Sequence, residues 1–401
     1  MKILFLCVKS PYPPNDGGAI AMLRMIEGFK KNGHDITVLY MKTKKHPYSF
    51  EEAPKNILEL AKYIPVEVPA EISATAALKN LLFSKLPYNA ERFISNKFKL
   101  QLTDILQNNK FDIVQIEGLY AAPYIETIRQ LSRSIIAFRA HNIEHEIWDR
   151  LVTNEKNPLK KYYKKIIASR LRKFEESFIN TYDFLVPISP RDANMFSIKG
   201  NHKPVMVCPT GIEPNKYNIR HTQKKASLFH LGSLDWEPNL EGLLWFINKV
   251  FPLIIDKFPN TEFHIAGRNA PKSFIHSIQK KGIVFHGEID DAQKFINDHS
   301  IMIVPLFSGS GMRIKIIEGM AMGKPIVTSS VGAEGIPCSS EENIFIANTV
   351  KENLQYISHL LNNEEKIEQI GKNARTFVEK NFNNTVKVKE LSEFYIKNLQ
   401  T

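Results

Sequence analysis

The chain has 401 residues, 43% of them hydrophobic and 24% charged, with a formal charge of +11. That length exceeds one ordinary core and asks for two domains of soluble, globular composition. No run approaches the roughly 18–20 apolar residues that span a bilayer, and Cys7, Cys208 and Cys338 show neither metal-ligand nor disulfide-framework spacing.

Residues 2–8 are apolar but meet Lys9 and a Pro-rich turn, with no small-residue cleavage site behind them. They read as a buried first strand rather than a secretion signal, and the expected location is the cytoplasm. Further strands are predicted at 35–40, 113–116, 134–138, 184–187 and 204–208. Helix-period segments at 19–31, 93–108 and 159–179 lie between them. A second series comes after Pro209-Thr210-Gly211, with strands at 228–231, 262–266, 283–285, 301–305 and 325–328 and helices at 240–258 and 313–322. Such alternation builds parallel sheets with helices on both faces. The Pro- and Gly-bearing stretch 199–212 separates the series, which places the domains at 1–205 and 206–383. From 351 to 400 the period is helical, with a break near 381–384. Ligands of such sheets gather outside the carboxyl ends of the strands.

One segment carries phosphate chemistry. The strand 301–305 runs into Ser308-Gly309-Ser310-Gly311-Met312, and that loop opens a helix bearing Arg313, Lys315 and Glu318. Backbone N–H groups at a helix start attract phosphate oxygens, and two fixed cations lie on the same turn. Arg binds phosphate through paired hydrogen bonds. Glu318, one turn on, suits a ribose diol because a carboxylate accepts from both hydroxyls. A plain strand–loop–helix with a solvated polar face has the same composition.

This segment resembles the donor-site motif of glycosyltransferase family 4, retaining enzymes of the GT-B fold, in which Glu-x7-Glu precedes Ala-Met-Ala-x-Gly-x-Pro-Val-Val. Glu318 matches the second Glu, which binds ribose in that family, and Gly323, Pro325, Ile326 and Val327 match the rest of the motif. The first Glu, a contact to the transferred sugar, falls on Ser310. A subgroup with Gly-Ser-Gly-x-Arg-x-Lys in this loop matches the chain. The resemblance implies an α/β protein of GT-B type, with two Rossmann-like parallel-sheet domains facing a deep interdomain cleft. The first domain binds the acceptor and the second the nucleotide sugar, with the helix 384–401 packing back onto the first.

The likeness extends to other sites. Pro13-Pro14-Asn15-Asp16-Gly17-Gly18-Ala19 resembles the family's glycine loop near the donor phosphates, where Gly17 and Gly18 let the backbone approach. His141, in Arg139-Ala140-His141-Asn142-Ile143-Glu144, matches the cleft histidine beside donor sugar and acceptor. Glu117, at another strand end, is a candidate acceptor contact or a solvated surface Glu. Pro209-Thr210-Gly211-Ile212-Glu213 resembles a structural turn at the start of the second domain. Many members carry Gly-Arg-x4-Lys-Gly after the next strand, but here Ser233 and Pro238 occupy the basic positions. A diphosphate leaving group still needs positive charge. Arg313 and Lys315 are expected to supply it, with Arg268 as a further donor contact beside Ser310, Gly311 and Met312.

The resemblance implies transfer with retention. No carboxylate nucleophile is evident, so same-face attack is expected, with the leaving phosphate taking the acceptor proton. No Asp-x-Asp occurs, so no metal is expected. The donor is expected to be a UDP- or GDP-sugar, and the acceptor a glycan or lipid-linked sugar in bacterial-type polysaccharide or glycoconjugate synthesis. Residues 156–173 carry eight Lys/Arg and no acid, with an apolar stripe from Leu159 to Phe174. That helix either packs on the core with a soluble outer face or lies on an anionic membrane at the inner face of the plasma membrane. Nucleic-acid signatures are absent. A catalytically silent accessory subunit and a sugar-nucleotide epimerase are the competing functions.

Overall fold

The computed structural model describes residues 1–48, 50, 53–219, 227–309 and 311–399, with only the backbone of Asn154. The chain folds as two units, Met1–Gly211 with Asn384–Thr401, and Ile212–Asn383. Residues 206–211 therefore fold with the first unit, whereas the sequence reading assigns them to the second.

The first unit contains six parallel strands, β1 (Lys2–Cys7), β2 (Asp35–Lys42), β3 (Lys62–Glu67), β4 (Ile113–Glu117), β5 (Ile135–Ala140) and β6 (Phe184–Pro187). Their order is β3-β2-β1-β4-β5-β6. Alternate residues feed opposite faces: Leu4 and Leu6 join Val114, Ile116 and Phe138 on one side, and Ile3 and Phe5 join Val38 and Tyr40 on the other. In β1, β4, β5 and β6 both faces are buried, so these strands read as continuous apolar runs. The helix Gly17–Lys31 starts at an Asp16 cap that accepts from the Ala19 N–H and ends on Lys30 and Lys31, which suit its dipole. The last helix, Asn384–Leu399, lays Val388, Leu391 and Tyr395 on the Phe5 face. Each such buried apolar side chain contributes about 1.5–3 kcal/mol.

The second unit repeats the plan with β7 (Leu228–Leu231), β8 (Phe263–Ala266), β9 (Ile283–Gly287), β10 (Ile301–Val304), β11 (Ile326–Thr328) and β12 (Phe345–Ile346). The order is β12-β11-β10-β7-β8-β9, again all parallel. In each sheet the order reverses at one seam, β1 beside β4 and β7 beside β10. The loops leaving the carboxyl ends at such a seam diverge and leave a crevice.

Three local readings differ from expectation. Residues 204–208 make no strand; bounded by Pro204 and Pro209, they run beside β6 with backbone bonds such as Met206 N–H to the Leu185 carbonyl at 3.0 Å. β3, Lys-Tyr-Ile-Pro-Val-Glu, escapes the sequence pattern because Pro65 and charged ends mask it; Pro is tolerated on an edge strand. The predicted helix 240–258 is an α-helix Glu237–Trp245, a π turn Phe246–Val250 and a helix Phe251–Lys257. Pro252 lacks the N–H that a regular ladder would need there.

The basic helix Pro158–Ser177 divides along its length. Ile167, Leu171 and Phe174 enter the core, whereas Leu159 is 81% exposed and Tyr162 69%. Arg170 donates to the Asn80 and Leu81 carbonyls at 3.2 and 2.9 Å. These cap the helix Ala74–Phe83, whose Leu78, Leu82 and Phe83 are also exposed.

Candidate functional site

At the β7/β10 seam of the second unit, the loop after β10 carries Ser308 and Gly309 into the helix Ile314–Ala321. Ser308 Oγ donates to Glu241 at 3.0 Å, and Phe307 packs edge-on to Trp245. Arg313 is the N-cap residue, and its side chain supplies no oxygen to cap this helix. An anion there meets backbone N–H groups rather than a competing carboxylate. The Arg313 guanidinium lies 5.4 Å from the centre of the Trp236 ring and donates to the Gly311 carbonyl. A ring face at that distance favours the cation and fixes its plane.

Lys315 completes the turn. Its Nζ donates to Asn239 Oδ1 at 2.7 Å, and Asn239 Nδ2 donates to the Ser233 carbonyl at 2.7 Å. A Cβ on Gly232 would lie 3.0 Å from Lys315 Nζ, so the glycine leaves the ammonium room close over the turn after β7. Burial and then the charge of Arg313 pull Lys315 down to about 7. His230 lies beneath: its Nδ1 donates to the Ile303 carbonyl at 2.8 Å, and burial followed by Lys315 holds it well below the usual histidine range. Glu318 accepts from the Tyr217 hydroxyl at 3.0 Å, which anchors its carboxylate. Arg268 Nε reaches Ser233 Oγ at 3.4 Å, and Ser233 donates to Asp235. Gly311 is in the left-handed region with φ +80°, and Met312 packs on the core. Ser310 lies outside the described residues.

The β1/β4 seam of the first unit is built differently. Glu117, expected as an acceptor contact or a solvated Glu, is 2% exposed at the end of β4. It accepts from Gln115 Nε2 at 2.5 Å, Arg139 Nη1 at 3.3 Å and His141 Nε2 at 2.7 Å. Burial pushes its carboxyl up, but Arg139 and the His141 hydrogen bond outweigh that and leave it below the ordinary value. It is therefore a charged strut for His141, not a surface group. Burial lowers His141, Glu117 opposes, and Arg139 and Lys9 lower it again, so the ring is neutral at pH 7. An ionised Glu117 accepts a hydrogen bond from the Nε2–H, which leaves Nδ1 as an acceptor. Gly118 holds φ +88°, and its missing Cβ faces the His141 ring.

Gly17 has open space where a side chain would be, while a Cβ on Gly18 would lie 2.8 Å from Lys9 Nζ. Lys9 instead pairs with Asp16 at 2.5 Å, so the start of this helix already holds a carboxylate. A cavity of about 530 Å³ opens beside it, lined in part by Ser10, Tyr12, Asn15, Lys42 and His46. That volume suits a small ligand.

Several residues of the site are silent in the sequence. Tyr217, Trp236 and Asn239 carry no local motif, and only the tertiary fold brings them to Glu318, Arg313 and Lys315. In the first unit, Glu144 accepts from Tyr120 at 2.9 Å and is pushed up to about 7, chiefly by burial, with Glu175 adding to the push. A carboxyl poised near neutrality marks a site candidate. Its only sequence signal is its place three residues after His141.

Residues 225–363 match the family model of group 1 glycosyl transferases. The chain is 26% identical over 400 residues to an uncharacterised 44.6 kDa protein in the cps region of Klebsiella pneumoniae, covering 95% of this chain and 96% of that one. In fold it is similar to HepE of Anabaena solved with UDP-glucose (TM-score 0.68, 13% identity, 99% and 100% covered). It is likewise similar to WaaG, a glycosyltransferase involved in lipopolysaccharide biosynthesis (TM-score 0.65, 14% identity, 96% and 98% covered). With the two six-stranded parallel sheets, the structural likenesses establish the GT-B fold, and the chain is a glycosyltransferase in which residues 225–363 of the second unit match the group 1 model.

Proposed function

We propose that the protein is a retaining, metal-independent glycosyltransferase that takes a sugar from a nucleoside-diphosphate donor and passes it to a glycan or lipid-linked acceptor in polysaccharide synthesis. The observation that carries this reading is the Arg313–Lys315 pair on an uncapped helix start at the β7/β10 seam. Arg313 and Lys315 take the diphosphate, with Gly311, Met312 and Arg268 around it. They stabilise the charge that grows on the leaving group as the glycosidic bond breaks. Glu318, fixed by Tyr217, accepts the ribose hydroxyls. In the first unit, Glu117 sets the tautomer of His141, whose neutral ring orients the transferred sugar. The leaving phosphate accepts the acceptor proton, and no protein nucleophile is used. HepE solved with UDP-glucose, and the role of WaaG in lipopolysaccharide biosynthesis, support the donor and acceptor classes.

A thermal-shift screen against UDP-, GDP-, ADP- and CMP-sugars tests the donor. A donor that binds only the folded state raises Tm, by about 2.7 kcal/mol of stability at a hundredfold excess over Kd. The reading expects UDP- or GDP-sugars to stand out and Glu318→Ala to erase the shift. No shift with any donor would favour a silent accessory role. An inverted anomeric product by NMR, or turnover lost in EDTA and restored by Mg²⁺, would overturn the retaining or metal-free part. No described helix is long and apolar enough to cross a membrane. The exposed Leu78, Leu82, Phe83, Leu159 and Tyr162, set among lysines, support docking on an anionic lipid surface.

A further inference from the structure

Three histidines of the second unit meet beside the β8/β9 edge of its sheet. His264 lies within β8, His286 within β9, and His299 in the turn between the helix Ala292–Asn297 and β10. One ring nitrogen from each falls within a span of 4.8 Å. His264 Nδ1 and His286 Nε2 are already 3.0 Å apart. Nitrogens on a tetrahedral Zn²⁺, each about 2.1 Å from the ion, stand about 3.4 Å from one another. The observed spread needs only small side-chain rotations to close.

The outer contacts select the right nitrogens. His299 Nδ1 donates to the Phe295 carbonyl at 2.7 Å, which leaves Nε2 with its lone pair. Glu262 Oε2 lies 3.3 Å from His264 Nε2, which holds the proton there and leaves Nδ1 toward His286. Histidine ligands are typically fixed in this way, by a carbonyl or carboxylate on the far nitrogen. The charges around the cluster are mixed: Glu262 and Asp298 are acidic, while Lys324 donates to the His299 carbonyl at 2.7 Å. The burial is graded too, since His299 is 8% exposed whereas His286 lies at the surface. An ion would thus keep one coordination position open to solvent.

We infer that His264, His286 and His299 form a binding site for a borderline divalent transition ion such as Zn²⁺, separate from the donor site and not used in sugar transfer. Imidazole suits such ions, and an all-nitrogen set with no carboxylate ligand disfavours Mg²⁺ and Ca²⁺. Because the ligands come from β8, β9 and the turn before β10, a bound ion would pin that edge of the sheet.

The test uses the full chain, stripped with EDTA and dialysed. Calorimetry with ZnCl₂ should give one site per chain with a Kd of about 1 µM or tighter. CoCl₂ should produce visible absorption bands of a low-coordinate nitrogen site. Zn²⁺ at a hundredfold excess over Kd should raise the Tm of this unit by about 5–10 °C. His286→Ala, at an exposed position, should fold normally and weaken Zn²⁺ binding at least about tenfold, while His276→Ala should not change it. Donor-induced thermal shifts should be the same with and without Zn²⁺, so failure here is distinct from failure of the transferase reading. Binding below one-tenth of an equivalent at about 100 µM ZnCl₂ overturns the site. So does binding in His286→Ala equal to that of the native chain.

Discussion

The two sheets share one strand order, yet their seams handle charge in opposite ways. At β1/β4, Glu117 sits between Arg139 and His141, and the charges are spent inside the protein. At β7/β10, burial first and the neighbouring Arg313 second hold Lys315 well below the usual lysine range. The first arrangement orients a ring; the second sets two cations on one turn, where the proposed diphosphate would lie. The same topology therefore supplies a positioning device in one unit and a candidate diphosphate cradle in the other.

Removing both cations should have the largest effect. Arg313→Met with Lys315→Met is expected to lower kcat/KM by about 10³-fold, roughly 4 kcal/mol, read by steady-state kinetics. Its Tm should hold or rise, because two neighbouring cations, one buried and one half-buried, are gone. The opposite signature is expected of Glu117→Gln. It leaves Arg139 buried without its counter-charge and should cost about 3 kcal/mol, read by urea unfolding. Equal losses of stability from both variants would break the contrast.

A pH titration sharpens it. Lys315 in the free protein titrates near 7, far below an unfolded lysine, so the folded state releases this proton more readily. The stability held with neutral Lys315 is present above about pH 10 and lost as pH falls toward 7. Binding a diphosphate runs the other way, since the ammonium must be protonated to pair with it. Affinity for a nucleotide sugar should then fall up to about tenfold per pH unit above 7. Calorimetry in buffers of different ionisation enthalpy should show proton uptake near pH 8, and Lys315→Met should abolish it.

Much of this is legible in the sequence because it is local. Apolar runs mark most strands, and Ser308–Pro325 presents Arg313, Lys315 and Glu318 as neighbours on one helix. The features that escape are set by contacts between distant residues. Nothing near Asn239 or Tyr217 marks them as partners of Lys315 and Glu318, more than seventy residues on. Glu117 is misjudged for the same reason: a carboxylate at a strand end looks solvated until Arg139 and His141, on and after the neighbouring β5, cover it. The edge strand β3 is lost because Pro65 and charged ends break its apolar pattern, and β12 because only two residues define it.

The smallest effect concerns cations of a third kind, exposed rather than buried. Lys161 lies on the solvent side of the helix Pro158–Ser177, beside the exposed Leu159 and Tyr162. Each such lysine near an anionic surface contributes about 1 kcal/mol. Lys161→Gln should therefore weaken sedimentation with phosphatidylglycerol-containing vesicles about fivefold and leave donor binding unchanged. Salt separates the two roles. Charges in water are screened beyond about 8 Å at physiological ionic strength, whereas partly buried ones are screened far less. Raising NaCl should release the vesicles while the donor-induced thermal shift persists. If both fall together, Arg313 and Lys315 are as exposed in solution as Lys161, and the contrast between spent, stored and surface charge collapses to one of position alone.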